Sequence, residues 1–357
     1  MSYAIAAAGT GGHVYPGLAV AEELVRAGVA RQDILFVGGD RLEARVYPES
    51  GFPFLGVRLQ SLKRNLSIDN LRLPGVLRAA VRQVRGALRE RDVRVVLGMG
   101  SYVTVPVAWA SHREHIPFFL HEQNGDAGLA NKVMSRWAVT TFVALDGTRG
   151  VLRPEKVGNP IRRKFAEYRR ADLRHEALAR YGIEPGNVVV GVFGGSLGAG
   201  VINDAVVHMA MSWTGSDVAL LHLVGERNVG NIDTTGSRVP WIVVGYEQSM
   251  EYFYAASDLV IARAGGVAIA ELTATHTPSV LIPGEFGGGH QSANAAAMEQ
   301  AGAAVFLPET RIGELSGIVA RLVDDAQARK AMAQSADAIA LTDAASRIAA
   351  RLIDAHG

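Results

Sequence analysis

The sequence predicts an α/β protein made of two doubly wound domains, each with a parallel sheet. Short apolar runs alternate with helical stretches along the whole chain, which is typical of parallel strands joined by crossover helices. Glycine-rich turns follow three of the predicted strands, at 8–12, 98–102 and 194–200. At 357 residues, the chain is too long for a single ordinary hydrophobic core.

A series of strand candidates makes up the first half of the chain, and a polar stretch closes it. The candidates are 3–8, 34–37, 93–97, 117–120 and 140–143. The pattern breaks around Gly158-Asn159-Pro160, and charged residues then continue to Asp172. Because domain boundaries fall in such polar segments, we place the N-terminal domain at 1–160.

The second half repeats the same organisation. Its strand candidates are 188–193, 218–223, 241–244, 259–261, 279–282 and 304–307, and amphipathic helices are predicted at 312–323 and 344–353. We expect 161–340 to form the C-terminal domain, and the helix in 341–357 to pack back on the N-terminal one. Sheets of this kind bind ligands at the carboxyl ends of their strands. If two such domains faced each other, these strand ends would line the cleft between them.

Composition excludes several classes of function. The chain has no cysteine, so disulfides and thiolate chemistry are ruled out, and a reducing cytoplasm is the expected compartment. It lacks the pattern of a secretion signal and any apolar stretch of membrane-spanning length. Residues 1–160 hold 20 Lys and Arg against 14 Asp and Glu, whereas the remainder is acidic. This asymmetry is too modest to predict nucleic-acid binding.

The first glycine turn, residues 8–12, is the most informative segment. It joins a predicted strand to a helix, so backbone N–H groups and the helix dipole would point at a bound anion. His13 places a titratable ring at the same turn. The turn is not a dinucleotide-binding fingerprint, because Val14 stands where the third glycine would be. A nicotinamide-dependent enzyme is therefore disfavoured.

Further polar residues follow other predicted strands. Four consecutive polar residues begin at His121, at a strand end where α/β sites are built. Arg263 precedes a Gly-Gly pair and a helix that contains Glu271. An arginine beside a helix N-terminus suits a diphosphate, and the glutamate could accept hydrogen bonds from ribose hydroxyls. The His and carboxylate spacing predicts no metal site.

Five motifs in colinear order resemble those of the MurG family of glycosyltransferases, which add N-acetylglucosamine to a lipid-linked muramoyl sugar. They lie at 9–13, 98–103, 121–132, 158–162 and 194–199. Ser101 departs from the pattern, since the family usually has glycine at this position. The likeness covers nearly the whole chain.

The resemblance implies the GT-B fold, in which two Rossmann-like domains face each other across a cleft. It also implies an inverting transfer from UDP-N-acetylglucosamine to the C4 hydroxyl of an undecaprenyl-diphosphate-linked muramoyl-peptide. We expect no cofactor and no chelated metal, because the sequence has no D-x-D triplet in a polar loop at a strand end. The donor would be held mainly by the C-terminal domain and the acceptor by the N-terminal one. The positions matched to the donor site are Thr10, Gly11, Gly12, Asn124, Arg162, Ser196, Glu247, Met250, Glu271 and Gln291.

His13 is the candidate catalytic base, since inversion requires a group that takes the proton of the attacking hydroxyl. It could instead hold the acceptor diphosphate as a cation. Two enzyme alternatives remain open: a UDP-N-acetylglucosamine epimerase and a GT-B glycosyltransferase with a different acceptor. A non-catalytic nucleotide-sugar-binding protein is the alternative from another class.

A helix predicted at 74–91 suggests how the protein meets its lipid substrate. Leu77, Val81, Val84 and Leu88 form an apolar stripe, beside a stripe of Arg78, Arg82, Arg85 and Arg89. Lys63, Arg64 and Arg72 would enlarge the basic patch, and Leu66, Ile68, Leu71 and Leu73 could insert into lipid. We expect peripheral attachment to the anionic cytoplasmic face of the membrane. Alternatively, the helix packs its apolar stripe inward.

Overall fold

The computed structural model describes residues 2–59, 69–195, 199–284 and 289–356, without the side chains of 69–73. The chain divides into two units. The first comprises Met1–Arg162 together with Asp343–Gly357, and the second comprises Arg163–Thr342. Each unit contains one sheet in which all neighbouring strands run parallel.

The first unit alternates strands and helices from its N-terminus. Its elements are β1 (Ser2–Ala6), α1 (Gly11–Arg26), β2 (Ile34–Gly38), α2 (Leu42–Glu49), β3 (Phe54–Gly56), α3 (Asp69–Glu90), β4 (Val93–Gly98), α4 (Thr104–Glu114), β5 (Phe118–Glu122), α5 (Leu129–Met134), β6 (Thr141–Val143) and β7 (Pro154–Lys156). The strand order is β3-β2-β1-β4-β5-β6-β7.

Both faces of this sheet are covered by helices. Along β1, Tyr3 and Ile5 pack in the cluster that contains the apolar side of α1, whereas Ala4 and Ala6 pack in the cluster of α3 and α4. Burial on both faces explains why these strands are nearly continuous apolar runs. The strand order reverses between β1 and β4, so the loops that follow these two strands border the switch point where such sheets bind ligands.

The second unit has the same construction with six strands. Its elements are α6 (Arg163–Ala166), α7 (Arg170–Tyr181), β8 (Val188–Phe193), α8 (Gly200–Ser212), β9 (Val218–Leu223), β10 (Trp241–Val244), α9 (Met250–Ala256), β11 (Leu259–Ala262), α10 (Gly266–Ala274), β12 (Ser279–Leu281), α11 (His290–Gln300), β13 (Ala304–Phe306), α12 (Leu315–Asp324) and α13 (Ala326–Ile339). The strand order β10-β9-β8-β11-β12-β13 puts the switch point between β8 and β11.

The last helix, α14 (Ala344–Asp354), belongs to the first unit. Ile348 and Leu352 are buried in the cluster that contains the apolar side of α1. Arg351 also pairs with Glu155 of β7 at 3.2 Å. Among the helices of the described residues, none combines the length and the apolar character needed to cross a membrane.

All the predicted strands are present, but three details of the prediction are wrong. β3 and β7 were missed: β3 is a three-residue strand that ends in an exposed glycine, and the Pro-Glu-Lys of β7 carries no apolar signal. Helix α3 begins at Asp69, before the predicted start at residue 74, so Pro74 lies inside the helix. The helix predicted at 312–323 begins at Leu315, after a 3₁₀ turn over Glu309–Glu314.

Candidate active site

Three loops of the first unit meet at the carboxyl edge of its sheet, following β1, β4 and β5. The amide of Gln123 donates a hydrogen bond to the carbonyl of Met99 at 3.4 Å, which joins the loops after β5 and β4. A β-carbon at Gly12 would lie 3.6 Å from Oε1 of the same glutamine. Gln123 therefore lies beside both predicted glycine loops of the first unit.

His13 lies in the first turn of α1, directly after Thr10, Gly11 and Gly12. Its backbone N–H donates to the Thr10 carbonyl at 3.0 Å, and its Nδ1 lies 3.4 Å from the Thr10 hydroxyl. A β-carbon at Gly100 would come within 3.3 Å of Nε2, so the ring packs on the backbone of the second glycine loop. Desolvation by the surrounding protein lowers the pKa of His13 to about 4, partly opposed by Glu43. The imidazole is therefore neutral at pH 7.

The second glycine loop takes two consecutive residues through the left-handed region of backbone conformation. Gly100 has φ = +84° and Ser101 has φ = +82°. Glycine adopts this conformation freely, whereas a β-carbon opposes it. The Ser101 hydroxyl is also buried without a hydrogen-bond partner among the described residues. Serine therefore sits at a position whose backbone favours glycine.

Glu122 organises the loop after β5. One carboxylate oxygen accepts hydrogen bonds from the backbone and side-chain nitrogens of Asn124, at 3.0 and 3.1 Å. The other accepts from the Gly128 N–H at 3.1 Å and from the Asn131 amide at 2.7 Å. These four bonds hold a buried carboxylate and fix Asn124, a predicted donor-site residue, at the carboxyl end of β5.

His121 is a buried neighbour of this network. Its Nε2 lies 3.0 Å from the Gly158 carbonyl, and desolvation lowers the pKa of His121 to about 4. Its Nδ1 is buried and lacks a hydrogen-bond partner within the described ranges, as do the Oδ1 atoms of Asn131 and Asn159. Unsatisfied buried acceptors are uncommon in native proteins, and such atoms can accept a hydrogen bond from a ligand or water.

Arg162 closes the set of predicted residues in the first unit. Its guanidinium carbon lies 4.7 Å from the centre of the Tyr15 ring in α1, within the range of a cation–π contact. A β-carbon at Gly11 would lie 3.2 Å from the same ring. The arginine therefore reaches the helix that carries His13.

In the second unit, the switch point is bordered by the residues that follow β8 and by 263–265, which follow β11. Gly195 has φ = +94°, as expected for a glycine turn between strand and helix. Ser196, a predicted donor-site residue, lies outside the described residues. Helix α10 begins directly after Gly265, so its first backbone N–H groups lie at this edge of the sheet.

Glu271 lies in α10 and is largely buried, with 7% of its surface exposed. The Tyr254 hydroxyl donates a hydrogen bond to its Oε2 at 3.0 Å. Tyr254 is itself fully buried in α9. The tyrosine hydroxyl therefore helps to orient the Glu271 carboxylate. The sequence did not indicate this contact.

Arg263 and Gln291 also lie near the carboxyl edge of the second sheet. Arg263 forms an ion pair with Glu309 and donates to the Ile282 carbonyl at 3.1 Å. Gln291, in the first turn of α11, accepts a hydrogen bond from the Gly284 N–H at 2.9 Å. The structure therefore gives Arg263 a carboxylate partner that the sequence analysis did not foresee.

Glu247 and Met250 flank the start of α9. The Glu247 carboxylate accepts hydrogen bonds from the Tyr181 hydroxyl at 2.8 Å and the Ser249 N–H at 2.7 Å, and it pairs with Arg180 at 3.2 Å. These partners lower the pKa of Glu247 although burial opposes them. Met250 is the first residue of the helix and is half-buried. The Glu247 side chain thus stabilises the start of α9.

The four arginines of the basic stripe predicted on α3 differ in their contacts. Arg85 and Arg89 pair with Glu114 of α4 at 2.5 and 2.6 Å, whereas Arg78 and Arg82 are exposed. The apolar stripe packs into the core, where Val84 and Leu88 are buried. Of the additional residues, Lys63, Arg64, Leu66 and Ile68 lie outside the described ranges, as do the side chains of Leu71, Arg72 and Leu73.

Sequence reasoning missed Glu43, which is fully buried near the predicted catalytic turn. Its carboxylate accepts hydrogen bonds from the N–H groups of Gly9 at 3.0 Å and Gly39 at 2.9 Å. The one available signal was an acidic residue in the first turn of a helix that follows a Gly-Gly pair. Acidic residues are common in this position for reasons of helix stability alone, so the signal is not specific.

Comparisons with known proteins agree with this arrangement. The model of the glycosyltransferase family 28 N-terminal domain matches residues 3–143, and that of the C-terminal domain matches 189–349. The crystal structure of MurG from Acinetobacter baumannii superposes with a TM-score of 0.79 at 23% identity, and covers 99% of this chain and 100% of that one. Fold and family models thus define a two-domain glycosyltransferase, and the predicted GT-B fold is confirmed.

Two relatives give the narrower assignment. Both carry the name UDP-N-acetylglucosamine--N-acetylmuramyl-(pentapeptide) pyrophosphoryl-undecaprenol N-acetylglucosamine transferase. The protein from Mycobacterium sp. strain KMS is 35% identical over 99% of this chain and 95% of its own length. The one from Clavibacter michiganensis is 36% identical over 99% and 96%. This chain belongs to the MurG family.

Proposed function

We propose that this protein transfers N-acetylglucosamine from UDP-N-acetylglucosamine to the C4 hydroxyl of the muramoyl sugar of lipid I, which yields lipid II. The C4 oxygen forms a bond to the anomeric carbon as the bond to the diphosphate oxygen breaks. UDP leaves with the electron pair, the hydroxyl proton passes to a base, and the anomeric configuration inverts. The near full-length likeness to proteins named for this transfer supports the assignment.

The position and protonation state of His13 are the observation that carries the mechanism. At pH 7 its imidazole is neutral, because its pKa is lowered to about 4. A neutral ring can accept the hydroxyl proton, which favours the base role of His13. When Nδ1 donates to the Thr10 hydroxyl, Nε2 keeps its lone pair for the acceptor hydroxyl. An anionic substrate bound nearby would raise the pKa of His13 and strengthen it as a base.

The second unit supplies groups suited to the donor. The first N–H groups of α10 can stabilise the negative charge that develops on the departing UDP. Glu271, oriented by Tyr254, can accept hydrogen bonds from the ribose hydroxyls. Gln291 begins a neighbouring helix and is the candidate for sugar contact.

We also propose that the first unit attaches peripherally to the anionic cytoplasmic face of the membrane. Helices α3, α4 and α5 pack side by side on one face of its sheet. Their outer side carries the exposed Arg78, Arg82 and Lys132, and Leu129 is 71% exposed. Each cation near an anionic leaflet contributes on the order of 1 kcal/mol, and an exposed leucine can insert beside it.

Sedimentation with phosphatidylglycerol vesicles tests this surface. The wild-type protein should bind at low salt and dissociate at high salt, and a variant with Arg78→Gln, Arg82→Gln and Leu129→Gln should bind far less. The control is Arg45→Gln, on α2, which packs on the opposite face of the sheet. Equal binding of the triple variant, or no wild-type binding at low salt, would refute the proposed surface.

The transfer itself is tested with purified protein, UDP-N-acetylglucosamine and lipid I. Lipid-I-dependent release of UDP, together with formation of lipid II, is the expected result. Conversion of the donor to an epimer would identify an epimerase. Binding of the donor without turnover would identify a non-catalytic binding protein.

A further inference from the structure

Helix α2 contacts the first glycine loop on both sides of residues 10–13. On the N-terminal side, the Gly9 N–H donates a hydrogen bond to Oε2 of Glu43 at 3.0 Å. On the C-terminal side, the Tyr47 hydroxyl donates to the Val14 carbonyl at 3.2 Å. The segment that carries His13 is therefore anchored at its two ends by one helix.

The Glu43 carboxylate joins two loops of the sheet. Its second oxygen, Oε1, accepts the N–H of Gly39 at 2.9 Å, so one side chain ties the loop after β1 to the loop after β2. Its side chain is fully buried, where a carboxylate is costly unless its oxygens are satisfied. The N–H groups of Gly9 and Gly39 donate to its two oxygens. Its place in the first turn of α2 stabilises the negative charge further, because the helix dipole is positive there.

The surrounding residues are fitted to this carboxylate. A β-carbon at Gly38 would lie 2.7 Å from Cγ of Glu43, and one at Gly39 would lie 2.8 Å from its Oε1. A β-carbon at Gly39 would also collide with the Tyr102 hydroxyl, which belongs to the second glycine loop. The Glu43 side chain therefore fits between the two loops only because residues 38 and 39 are both glycine.

We propose that Glu43 is a positioning residue of the transfer reaction. It does not touch the substrates; it holds the loop that places the His13 ring against Gly100, and Tyr47 assists from the other end of the loop. The inference rests on the proposed function, because it assigns a role in the same reaction. A displacement of about 1 Å in a reacting group can cost on the order of 100-fold in rate, so the anchor has a measurable consequence.

Glu43→Gln is the principal test variant. The amide keeps the shape of the side chain and one acceptor oxygen, but its NH₂ group faces an N–H donor and cannot accept that bond. We expect kcat to fall about 10-fold or more, while KM for UDP-N-acetylglucosamine stays within about twofold. Glu49→Gln is the matched control, since Glu49 is exposed at the end of the same helix, and its kinetics should be unchanged.

Two readouts report the loop directly and need no activity. Amide hydrogen exchange should accelerate at Gly9 or Gly39 in Glu43→Gln, whereas the Ala7 N–H, bonded to the Val37 carbonyl, keeps its protection. The ring resonances of His13 in the NMR spectrum should shift at pH 7 in Glu43→Gln and stay in place in Glu49→Gln. Tyr47→Phe removes only the second anchor, and kcat should fall by about two- to fivefold.

Two outcomes would overturn the inference. The first is wild-type kinetics together with wild-type exchange in Glu43→Gln. The second is a fall in kcat matched by an equal fall in the folded fraction, measured by circular dichroism, because Glu43 would then serve stability alone.

Other outcomes separate the inference from the proposed function. If the wild-type protein transfers no sugar to lipid I, the proposed function fails, and the exchange and His13 spectra still decide whether Glu43 positions the loop. If Glu43→Gln does not fold, Tyr47→Phe decides: wild-type kcat and His13 spectra in that variant would overturn the inference.

Discussion

Replacing Ser101 by glycine should stabilise the first unit without loss of activity. Ser101 has φ = +82°, in the left-handed region where a β-carbon is unfavourable. Its hydroxyl is buried, and no residue of the described ranges gives it a hydrogen bond. Ser101→Gly removes both the β-carbon and the hydroxyl, so both unfavourable features disappear together.

The two contributions can be sized separately. Relief of the left-handed conformation contributes about 1 kcal/mol after the greater freedom of glycine in the unfolded chain is counted. Removal of an unsatisfied buried hydroxyl contributes up to about 1 kcal/mol more. Ser101→Gly should therefore gain about 1–2 kcal/mol, whereas Ser101→Ala, which keeps the β-carbon, should gain about 1 kcal/mol at most.

Urea denaturation of the wild type and both variants measures this difference, with thermal scans as a second reading. For a unit of this size, the gain corresponds to a rise in Tm of roughly 2–8 °C. Activity should stay within about twofold, because Gly100, which contacts His13, is unchanged. A Ser101→Gly variant no more stable than Ser101→Ala would refute the conformational argument.

Four further predictions follow from the site and its electrostatics. His13→Ala should lower kcat by about 100-fold or more while calorimetric donor affinity is unchanged, and a fully active variant would exclude the base role. Glu271→Ala should weaken donor binding by about 1–3 kcal/mol, seen as a raised KM, and unchanged affinity would remove it from the donor site. Transfer should survive EDTA in metal-free buffer, whereas a loss restored by Mg²⁺ would contradict leaving-group stabilisation by helix N–H groups. Folding lowers the pKa of His222 to about 4 through burial, so the unfolded chain binds the extra proton and stability falls as pH drops from 6.5 toward 4. His222→Gln should remove about 2 kcal/mol of the loss between pH 7 and pH 5, measured by urea unfolding, and an identical pH dependence would contradict this burial effect.

The sheets could be predicted because their strands are buried on both faces and therefore leave apolar runs in the sequence. The edge strand β7 lacks that signal. β7 consists of Pro154, Glu155 and Lys156, and its two end residues are exposed, so local sequence gives it the character of a loop. Its pairing with β6 is a long-range property of the sheet.

The site was predictable where glycine turns follow strands, since these motifs are local. Contacts between distant segments were not predictable. Glu43 reaches Gly9 across 34 positions of sequence, and Arg263 finds its partner in Glu309. The pairing of Arg85 and Arg89 with Glu114 has the same origin, and it is why half of the predicted basic stripe is engaged within the protein.

The central claim is tested most directly by the chemical structure of the product formed from UDP-N-acetylglucosamine and lipid I. We predict one UDP released for each lipid I consumed, and a new glycosidic bond at the muramoyl C4 oxygen whose anomeric configuration, determined by NMR, is opposite to that of the donor. Retention of the donor configuration, a bond at another hydroxyl, or UDP release that does not depend on lipid I would contradict the account.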